Sequence, residues 1–237
     1  MNEIVATVAQ RLAKIEERIE AACRRSGRKR QEIKLMAVTK FHPPEAVLAA
    51  YNVGVRLFGE SRVKEGIEKF SKLFQRQLCG VELHFIGPLQ RNKAKQAAAF
   101  YDCIQSVDRE PLISELGALT AERKSPLMVM LEYHTAEETK SGFSSIDSLL
   151  GAAENLLSFP GLQPAGLMTM APFTNDETAI RESFKKLICA KNELEKRFSN
   201  ECWSCLSMGM TNDYEIAIEE GSTLMRIGTA LFGESGI

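Results

Sequence analysis

The stretch LMAVTKFHPP, Leu35 to Pro44, places a lysine at the end of an apolar run that reads as a buried strand. Lys40 follows this run, and Pro43 and Pro44 prevent the strand from continuing. A lysine amine buried beside apolar side chains loses its charge more readily than one in water, and the neutral amine can attack a carbonyl carbon. The alternative is a lysine at the rim of the fold, in water or in an ion pair.

Small and hydroxyl-bearing residues follow two apolar runs near the other end of the chain. The two segments are LSMGMTNDYEIAI, which contains Ser207, Gly209 and Thr211, and LMRIGTALFGE, which contains Arg226, Gly228 and Thr229. Glycine lets backbone N–H groups approach an anion closely, and hydroxyl groups add further donors. The two loops together favour a phosphate site over the alternative, tight turns that use the same small residues.

A phosphate site combined with a lysine amine suggests a phosphorylated aldehyde that is held as a Schiff base. Pyridoxal 5′-phosphate (PLP) fits this description, with its phosphate in the last two loops and its aldehyde on Lys40. A phosphorylated sugar in an aldolase-like reaction fits equally well. The spacing of the residues does not choose between the two ligands.

Alternating strand and helix patterns must bring these residues together. The predicted strands are 33–39, 55–58, 82–86, 103–107, 127–133, 162–168, 203–206 and 224–227, and the predicted helices between them are 44–51, 62–74, 92–100, 110–122, 146–157, 177–198 and 213–219. This alternation predicts an α/β fold, a (β/α)₈ TIM barrel. In such barrels the site lies at the C-terminal ends of the strands, and the loops after strands seven and eight often bind phosphate.

We expect one domain over 1–237, with an extra N-terminal helix within 1–30 packed on the barrel. An open doubly wound sheet is the alternative fold. Its nucleotide-binding forms are disfavoured because no GxGxxG or GxxxxGK[ST] motif follows the first strand.

Composition narrows the classes of partner. The formal net charge is −1, which supplies no general attraction to nucleic acid or to a membrane surface. The amino terminus lacks the apolar segment of a signal peptide, and no run reaches the length of a membrane span. The six cysteines show no disulfide pattern, and the histidines show no metal-ligand spacing. We therefore expect a cytoplasmic, monomeric protein that binds neither nucleic acid nor membranes and holds no metal.

The chain resembles the pyridoxal phosphate homeostasis proteins, whose barrel is similar to the N-terminal domain of alanine racemase. The resemblance is carried by LMAVTK, LFGE, HFIGPLQRNK, TKSGF, GLMTMAP, LSMGMTNDYEIAI and STLMRIGTALFG, which span residues 33 to 233. It implies that Lys40 carries PLP as a Schiff base and that Ser207, Gly228 and Thr229 hold the phosphate. It also implies that Arg226 faces the pyridine nitrogen.

Three positions depart from the family pattern. Ser61 stands after Gly-Glu where the family usually has asparagine, and Thr211 stands where serine is usual. His134 ends an LEYH strand where the family tends to have a glutamine-valine-asparagine sequence. These departures put one polar cofactor contact and one pocket wall in doubt. His84 and the methionines at 168, 170, 208 and 210 are further candidates for the pocket lining.

The resemblance leaves two functions to separate. A racemase needs a second acid or base opposite Lys40. In alanine racemase an additional C-terminal domain supplies a tyrosine, and here Tyr133 is the sole tyrosine expected near the pocket. We therefore expect a non-enzymatic protein that holds PLP and passes it on, with PLP-dependent apo-enzymes as the recipients. The alternative is a weak PLP-dependent racemase or another PLP enzyme of narrow specificity.

Overall fold

The eight strands of the computed structural model close into a parallel barrel, and the structure describes residues 2–75, 78–136 and 141–234. The strands are β1 (Lys34–Val38), β2 (Leu57–Glu60), β3 (Glu82–Phe85), β4 (Cys103–Val107), β5 (Leu127–Glu132), β6 (Leu162–Met168), β7 (Cys205–Ser207) and β8 (Leu224–Ile227). Each strand pairs with the next, and β1 pairs with β8. This closure confirms the predicted barrel and excludes the open doubly wound sheet.

Helices between the strands form the outer layer. They are α1 (Asn2–Ser26), α2 (Pro44–Asn52), α3 (Val63–Phe74), α4 (Ala94–Phe100), α5 (Glu110–Thr120), α6 (Ile146–Leu157), α7 (Glu177–Arg197), α8 (Tyr214–Glu219) and α9 (Thr229–Phe232). Short 3₁₀ turns occupy Arg30–Glu32 and Arg91–Lys93. The apolar faces of the helices pack on the outward residues of the strands, so the main core lies between the two layers.

The extra N-terminal helix α1 packs against α8, α2 and α9. Its apolar stripe is buried, and its polar edge forms ion pairs with α8, including Arg25 to Glu219 at 2.6 Å. The helix ends at Gly27, whose φ of +69° suits a residue without Cβ. Arg28 and Arg30, which follow the helix, also pair with carboxylates of this protein, Glu32 and Glu16. These basic residues therefore have structural partners.

Strand β2 lies two residues further along the chain than predicted. The sequence interpretation ended this strand at Phe58, the last residue of the apolar run. In the structure both residues belong to the strand, and Glu60 is fully buried. Partners from other segments satisfy its carboxylate, as described below, and such partners are invisible to local propensity. Strand β7 is likewise shifted, to Cys205–Ser207.

Strand β6 contains a bulge that requires a glycine. Pro164 pairs with Val129 and Gly166 pairs with Met130, so one extra residue lies between the two pairs. Gly166 has a φ of +147°, and a Cβ there would overlap the carbonyl oxygen of Cys205 on β7. The bulge therefore holds β6 against β7 only with glycine at this position.

We expect Gly166→Ala to destabilise the protein by about 3 kcal/mol or more, because the strand must move to admit the methyl group. The matched control is Gly151→Ala in the exposed face of α6, where the nearest atom to a new Cβ is Glu110 Oε1 at 3.7 Å. The control should gain about 0.5–1 kcal/mol from helix propensity. Denaturant unfolding measures both variants, and equal stabilities for the two would contradict the bulge interpretation.

No helix among the described residues combines the length and the apolar character needed to cross a membrane. Within the same residues, no cluster of three or more histidine, cysteine, aspartate or glutamate side chains is arranged to hold a metal ion.

Candidate functional site

A cavity of about 630 Å³ opens at the C-terminal ends of the barrel strands. Its walls come from the ends of β1 and β8 and from the loops after β2, β3, β6 and β7. Apolar side chains and polar groups both contribute to the lining, which includes Val38, Lys40, Ser61, Ile86, Met170, Phe173, Met210, Thr211, Asp213, Arg226, Gly228 and Thr229. Four of the five residues predicted from the sequence therefore meet in one cavity, and Ser207 is the exception.

Lys40 lies two residues beyond β1 on the cavity wall, and its side chain is exposed. Of the two alternatives from the sequence, the structure therefore matches the lysine at the rim of the fold, because β1 ends at Val38 and Lys40 lies beyond it. Among the described residues, no hydrogen bond or ion pair uses the Lys40 amine. The amine is consequently available to a ligand.

The backbone next to Lys40 is held in an unusual conformation. Phe41 has a φ of +64°, in the left-handed region that costs a non-glycine residue about 1 kcal/mol or more. The Phe41 N–H donates to Glu65 Oε1 at 2.7 Å, and Lys69 Nζ donates to the Thr39 carbonyl at 2.6 Å. Both partners belong to α3, so this helix fixes the loop on each side of Lys40.

A buried ion pair supports this contact. Lys69 Nζ lies 2.7 Å from Glu60 Oε1 and 3.1 Å from Glu65 Oε1, and Thr39 Oγ1 donates to Glu60 Oε1 at 2.7 Å. Burial raises the pKa of Glu60, and the Lys69 charge opposes that rise. The sequence analysis missed Lys69. The available signal was a lysine within the apolar stripe of α3, whose buried residues include Val63, Phe70 and Leu73.

Arg226 is nearly fully buried in β8, at the inner end of the cavity. Its Nη1 donates to the Ser207 carbonyl and to Ser207 Oγ, each at 2.7 Å, and its Nη2 donates to the Thr169 carbonyl at 2.7 Å. Burial lowers the pKa of Arg226 to about 10, with Asp213 and Glu132 opposing the change, so the side chain remains a cation at neutral pH. These bonds use three of the five guanidinium N–H groups.

Ser207 lies behind Arg226 and not on the cavity wall. Its side chain is fully buried, and its hydroxyl donates to Gln105 Oε1 at 2.7 Å. His84, which the sequence suggested as a lining residue, is likewise buried in the barrel interior and contacts Gln105. Of the four methionines, Met170 and Met210 line the cavity, whereas Met168 and Met208 are buried.

The loops after β7 and β8 meet at one side of the cavity. Thr211 Oγ1 accepts a hydrogen bond from the Ala230 N–H at 3.3 Å, which joins the two loops. Asp213 Oδ1 accepts from the Met210 N–H at 2.6 Å and orders the first of them. Burial raises the pKa of Asp213, and the Met210 N–H opposes that rise. Thr229 is exposed at the wall, and no described residue takes its hydroxyl as a partner.

Comparison with known proteins assigns the family. The family described as "Alanine racemase, N-terminal domain" matches residues 10–236. The pyridoxal phosphate homeostasis protein of Haemophilus influenzae is 38% identical over 220 residues, which cover 92% of each chain. The protein of the same name from Aquifex aeolicus is 38% identical over 226 residues, covering 95% of this chain and 97% of the other. The chain belongs to the pyridoxal phosphate homeostasis protein family.

Solved structures of other proteins share the barrel fold of this chain. PipY of Synechococcus elongatus PCC7942, solved with PLP bound, has a TM-score of 0.82 and 31% identity, and the match covers 95% of this chain and all of that one, 100%. An alanine racemase from Corynebacterium glutamicum, at 14% identity and a TM-score of 0.69, matches over 97% of this chain and 61% of its own length. That second likeness concerns the fold alone.

The departures of this chain from the homeostasis protein pattern have distinct locations. Ser61 lines the cavity. Its side chain places a hydroxyl on Cβ where asparagine would extend a longer carboxamide toward the ligand. Thr211 keeps a hydroxyl on the opposite wall. Tyr133 and His134 are half-buried at the end of β5 and do not belong to the lining given by the described residues. The LEYH departure therefore leaves the described cavity wall unchanged.

Proposed function

We propose that this protein binds PLP in the cavity at the C-terminal face of the barrel, holds it as a Schiff base on Lys40, and passes it on as part of intracellular PLP homeostasis. The observation that carries the proposal is the meeting of Lys40, Arg226, Gly228 and Thr229 in one cavity of a chain that belongs to the homeostasis protein family. PipY, a member of the same fold at 31% identity, is described with PLP bound.

The donor set of the cavity fits PLP group by group. An exposed amine suits an aldehyde, hydroxyl and backbone groups of two loops suit a phosphate, and a buried guanidinium suits a ring nitrogen that is an acceptor. The apolar side chains of Val38, Ile86 and Met170 suit the faces of an aromatic ring. When bound, PLP supplies an aldehyde that condenses with amines and a ring that withdraws electrons.

Lys40 supplies the covalent attachment. Its neutral amine would supply the nucleophile for the aldehyde carbon, and its two hydrogens would leave with the aldehyde oxygen as water when the C=N bond forms. The reverse reaction with water, or exchange with another amine, releases the ligand. The exposure of Lys40 supports such exchange, because the attachment point is open to solvent, and α3 keeps the loop in place during it.

The phosphate lies against the loops that follow β7 and β8. Gly228 and Thr229 supply the backbone and a hydroxyl there, and Thr211 supplies a second hydroxyl from the joined loop. A phosphate role for Ser207 stays a prediction. The contacts of its hydroxyl with Gln105 and Arg226 support an indirect role, in which Ser207 holds the guanidinium.

Arg226 would set the protonation state of the bound ring. A guanidinium has no acceptor atom, so it cannot share a proton on the ring nitrogen and favours the unprotonated ring. The unprotonated ring withdraws electrons less strongly than the protonated one. None of the described residues lining the cavity is a tyrosine that could oppose Lys40. Both features support storage of PLP, and weak racemase activity remains the second candidate.

We further propose that the protein is a cytoplasmic monomer with a single domain over 1–237. PLP-dependent apo-enzymes are its proposed recipients. The near-neutral net charge supports action on a small ligand without nucleic acid or membrane partners. Size-exclusion chromatography with light scattering tests the monomeric state.

The function is tested by loading and transfer. Purified protein incubated with PLP and then desalted should show a visible absorption band, and mixing it with an apo-aminotransferase should restore activity of that enzyme as the band decays. A control receives only free PLP, at the concentration left in the buffer after desalting. If the loaded protein activates the apo-aminotransferase no faster than this control, direct delivery is contradicted. Interconversion of L- and D-amino acids that is lost in Lys40→Ala would instead establish the racemase alternative.

A further inference from the structure

A chain of hydrogen bonds crosses the interior of the barrel behind Arg226. From Arg226 Nη1 it passes to Ser207 Oγ at 2.7 Å, and from that hydroxyl to Gln105 Oε1 at 2.7 Å. Gln105 Nε2 then lies 2.7 Å from His84 Nδ1, and His84 Nε2 lies 2.6 Å from Glu82 Oε1. The five residues belong to β8, β7, β4 and β3. The chain thus connects the cavity to a partly exposed carboxylate near the start of β3.

With the Gln105 amide oriented as it is in the structure, every hydrogen bond in this series has one direction. A guanidinium can only donate, so Ser207 Oγ accepts from Arg226 and gives its own proton to Gln105 Oε1. The amide nitrogen of Gln105 can also only donate, so His84 Nδ1 is the acceptor. The ring proton of His84 therefore lies on Nε2, which donates to the Glu82 carboxylate.

This polarity has a structural consequence. A reversed Gln105 amide would turn its N–H₂ toward Ser207 Oγ and leave the Ser207 proton without its acceptor, and its oxygen would require a proton on His84 Nδ1. Gln105 and Ser207 are fully buried, so water cannot replace a lost partner. The orientation in the structure satisfies each of these groups, and it lets Ser207 Oγ accept from the Arg226 guanidinium while its proton goes to Gln105.

We propose that Gln105 and His84 are positioning residues for Arg226, although neither lines the cavity. Gln105 takes the proton of the Ser207 hydroxyl, which orients that hydroxyl so that its oxygen accepts from Nη1 of Arg226, a residue of the cavity wall. The effect on PLP rests on the function proposed above, whereas the polarity of the chain does not. A purely structural role for these residues predicts loss of stability alone.

A double-mutant cycle tests the coupling to the ligand. Gln105→Met removes both hydrogen bonds at similar volume and should weaken PLP binding about tenfold. In an Arg226→Gln background the same change should alter affinity less than about twofold, because the group that it positions is gone. Cys103→Ala is the matched control. Cys103 lies two residues before Gln105 on the same face of β4 and takes no part in the hydrogen-bond chain. The control should bind PLP as the unsubstituted protein does.

A second test needs no PLP. In protein labelled with ¹⁵N-histidine, we expect His84 to show an unprotonated Nδ1 and a protonated Nε2, with the signal assigned by its loss in His84→Gln. Gln105→Glu keeps an acceptor for Ser207 but replaces the amide donor by a carboxylate. His84 Nδ1 would then face a carboxyl oxygen instead of an amide N–H donor, so its ¹⁵N signal should shift away from that of the unprotonated nitrogen in the unsubstituted protein.

The outcomes separate the two proposals. Equal weakening by Gln105→Met in both backgrounds, or none in either, would overturn the positioning role. A proton on Nδ1 of His84 in the unsubstituted protein would overturn the polarity of the chain. Failure of the unsubstituted protein to bind PLP would instead refute the proposed function, and the histidine spectra would still decide whether the chain holds Arg226 as inferred. If Gln105→Met does not fold, His84→Asn takes its place in the cycle.

Discussion

Replacing Lys40 by alanine should abolish the covalent attachment of PLP. After incubation with PLP, reduction with borohydride and digestion, the unsubstituted protein should yield a pyridoxyl adduct on the peptide that contains Lys40. The Lys40→Ala protein should yield none above background and should lack the visible absorption band. The reason is that the exposed amine at the cavity wall is the nucleophile of the proposed site.

Two controls separate the chemistry of Lys40 from its charge and from nonspecific labelling. Lys40→Arg keeps the positive charge but carries a guanidinium, which does not form a stable imine under these conditions, so it should also lack the adduct. Lys34→Ala removes an exposed lysine from the opposite end of the same strand and should label like the unsubstituted protein. An undiminished adduct in Lys40→Ala, mapped to another lysine, would refute the assignment of the site.

Replacing Lys69 by methionine should cost about 3–5 kcal/mol of stability, because it leaves Glu60 buried without its cation. Glu60 is fully buried, and one of its oxygens, Oε2, has no hydrogen-bond partner among the described residues even in the intact site. Thr39 would also lose the donor to its carbonyl, which loosens the loop that carries Lys40. Guanidinium unfolding at neutral pH measures the loss.

The pH dependence of this loss identifies its cause. Burial raises the pKa of Glu60, and Lys69 opposes the rise, so removing Lys69 raises that pKa further. A carboxyl whose pKa is higher in the folded than in the unfolded state stabilises the fold at low pH and loses this contribution as pH rises. The stability gap between Lys69→Met and the unsubstituted protein should therefore narrow as pH falls from about 8 to about 5.

The exposed Lys72, near the end of the same helix, supplies the control for this experiment. Lys72→Met should change stability by no more than about 0.5 kcal/mol at either pH. A gap for Lys69→Met that is below about 1 kcal/mol, or that does not change with pH, would show that the buried pair contributes nothing specific.

The two lysines act at successive levels of one site. Lys40 lies on the cavity wall, where we propose that it meets the ligand, and Lys69 holds the backbone from which Lys40 extends. The positive φ of Phe41 persists because α3 supplies an acceptor for its N–H and a donor for the Thr39 carbonyl. An enzyme and a carrier would both need this support. The carrier proposed above is supported by the lack of a tyrosine among the described residues that line the cavity.

The sequence by itself determined the architecture of this protein. Apolar runs with strand character alternate with helical periodicity, and both signals are local, so eight strands and their order are readable without coordinates. The placement of Lys40 after β1 and of Gly228 and Thr229 after β8 followed, because parallel strands bring their C-terminal ends to one face. The predicted ends of the strands were less accurate than their order. In β2, for example, the buried polar residue Glu60 extends the strand beyond its predicted end.

Only the tertiary structure decided which side chains reach the cavity. Ser207 ends β7 and points into the barrel, where Gln105 and Arg226 satisfy it, whereas Thr211 four residues later reaches the wall. Whether a strand residue faces the interior, and which residue it meets across the barrel, depends on the register and tilt of all eight strands. Contacts such as Lys69 with Glu60 and His84 with Gln105 join distant segments, and no local pattern specifies them.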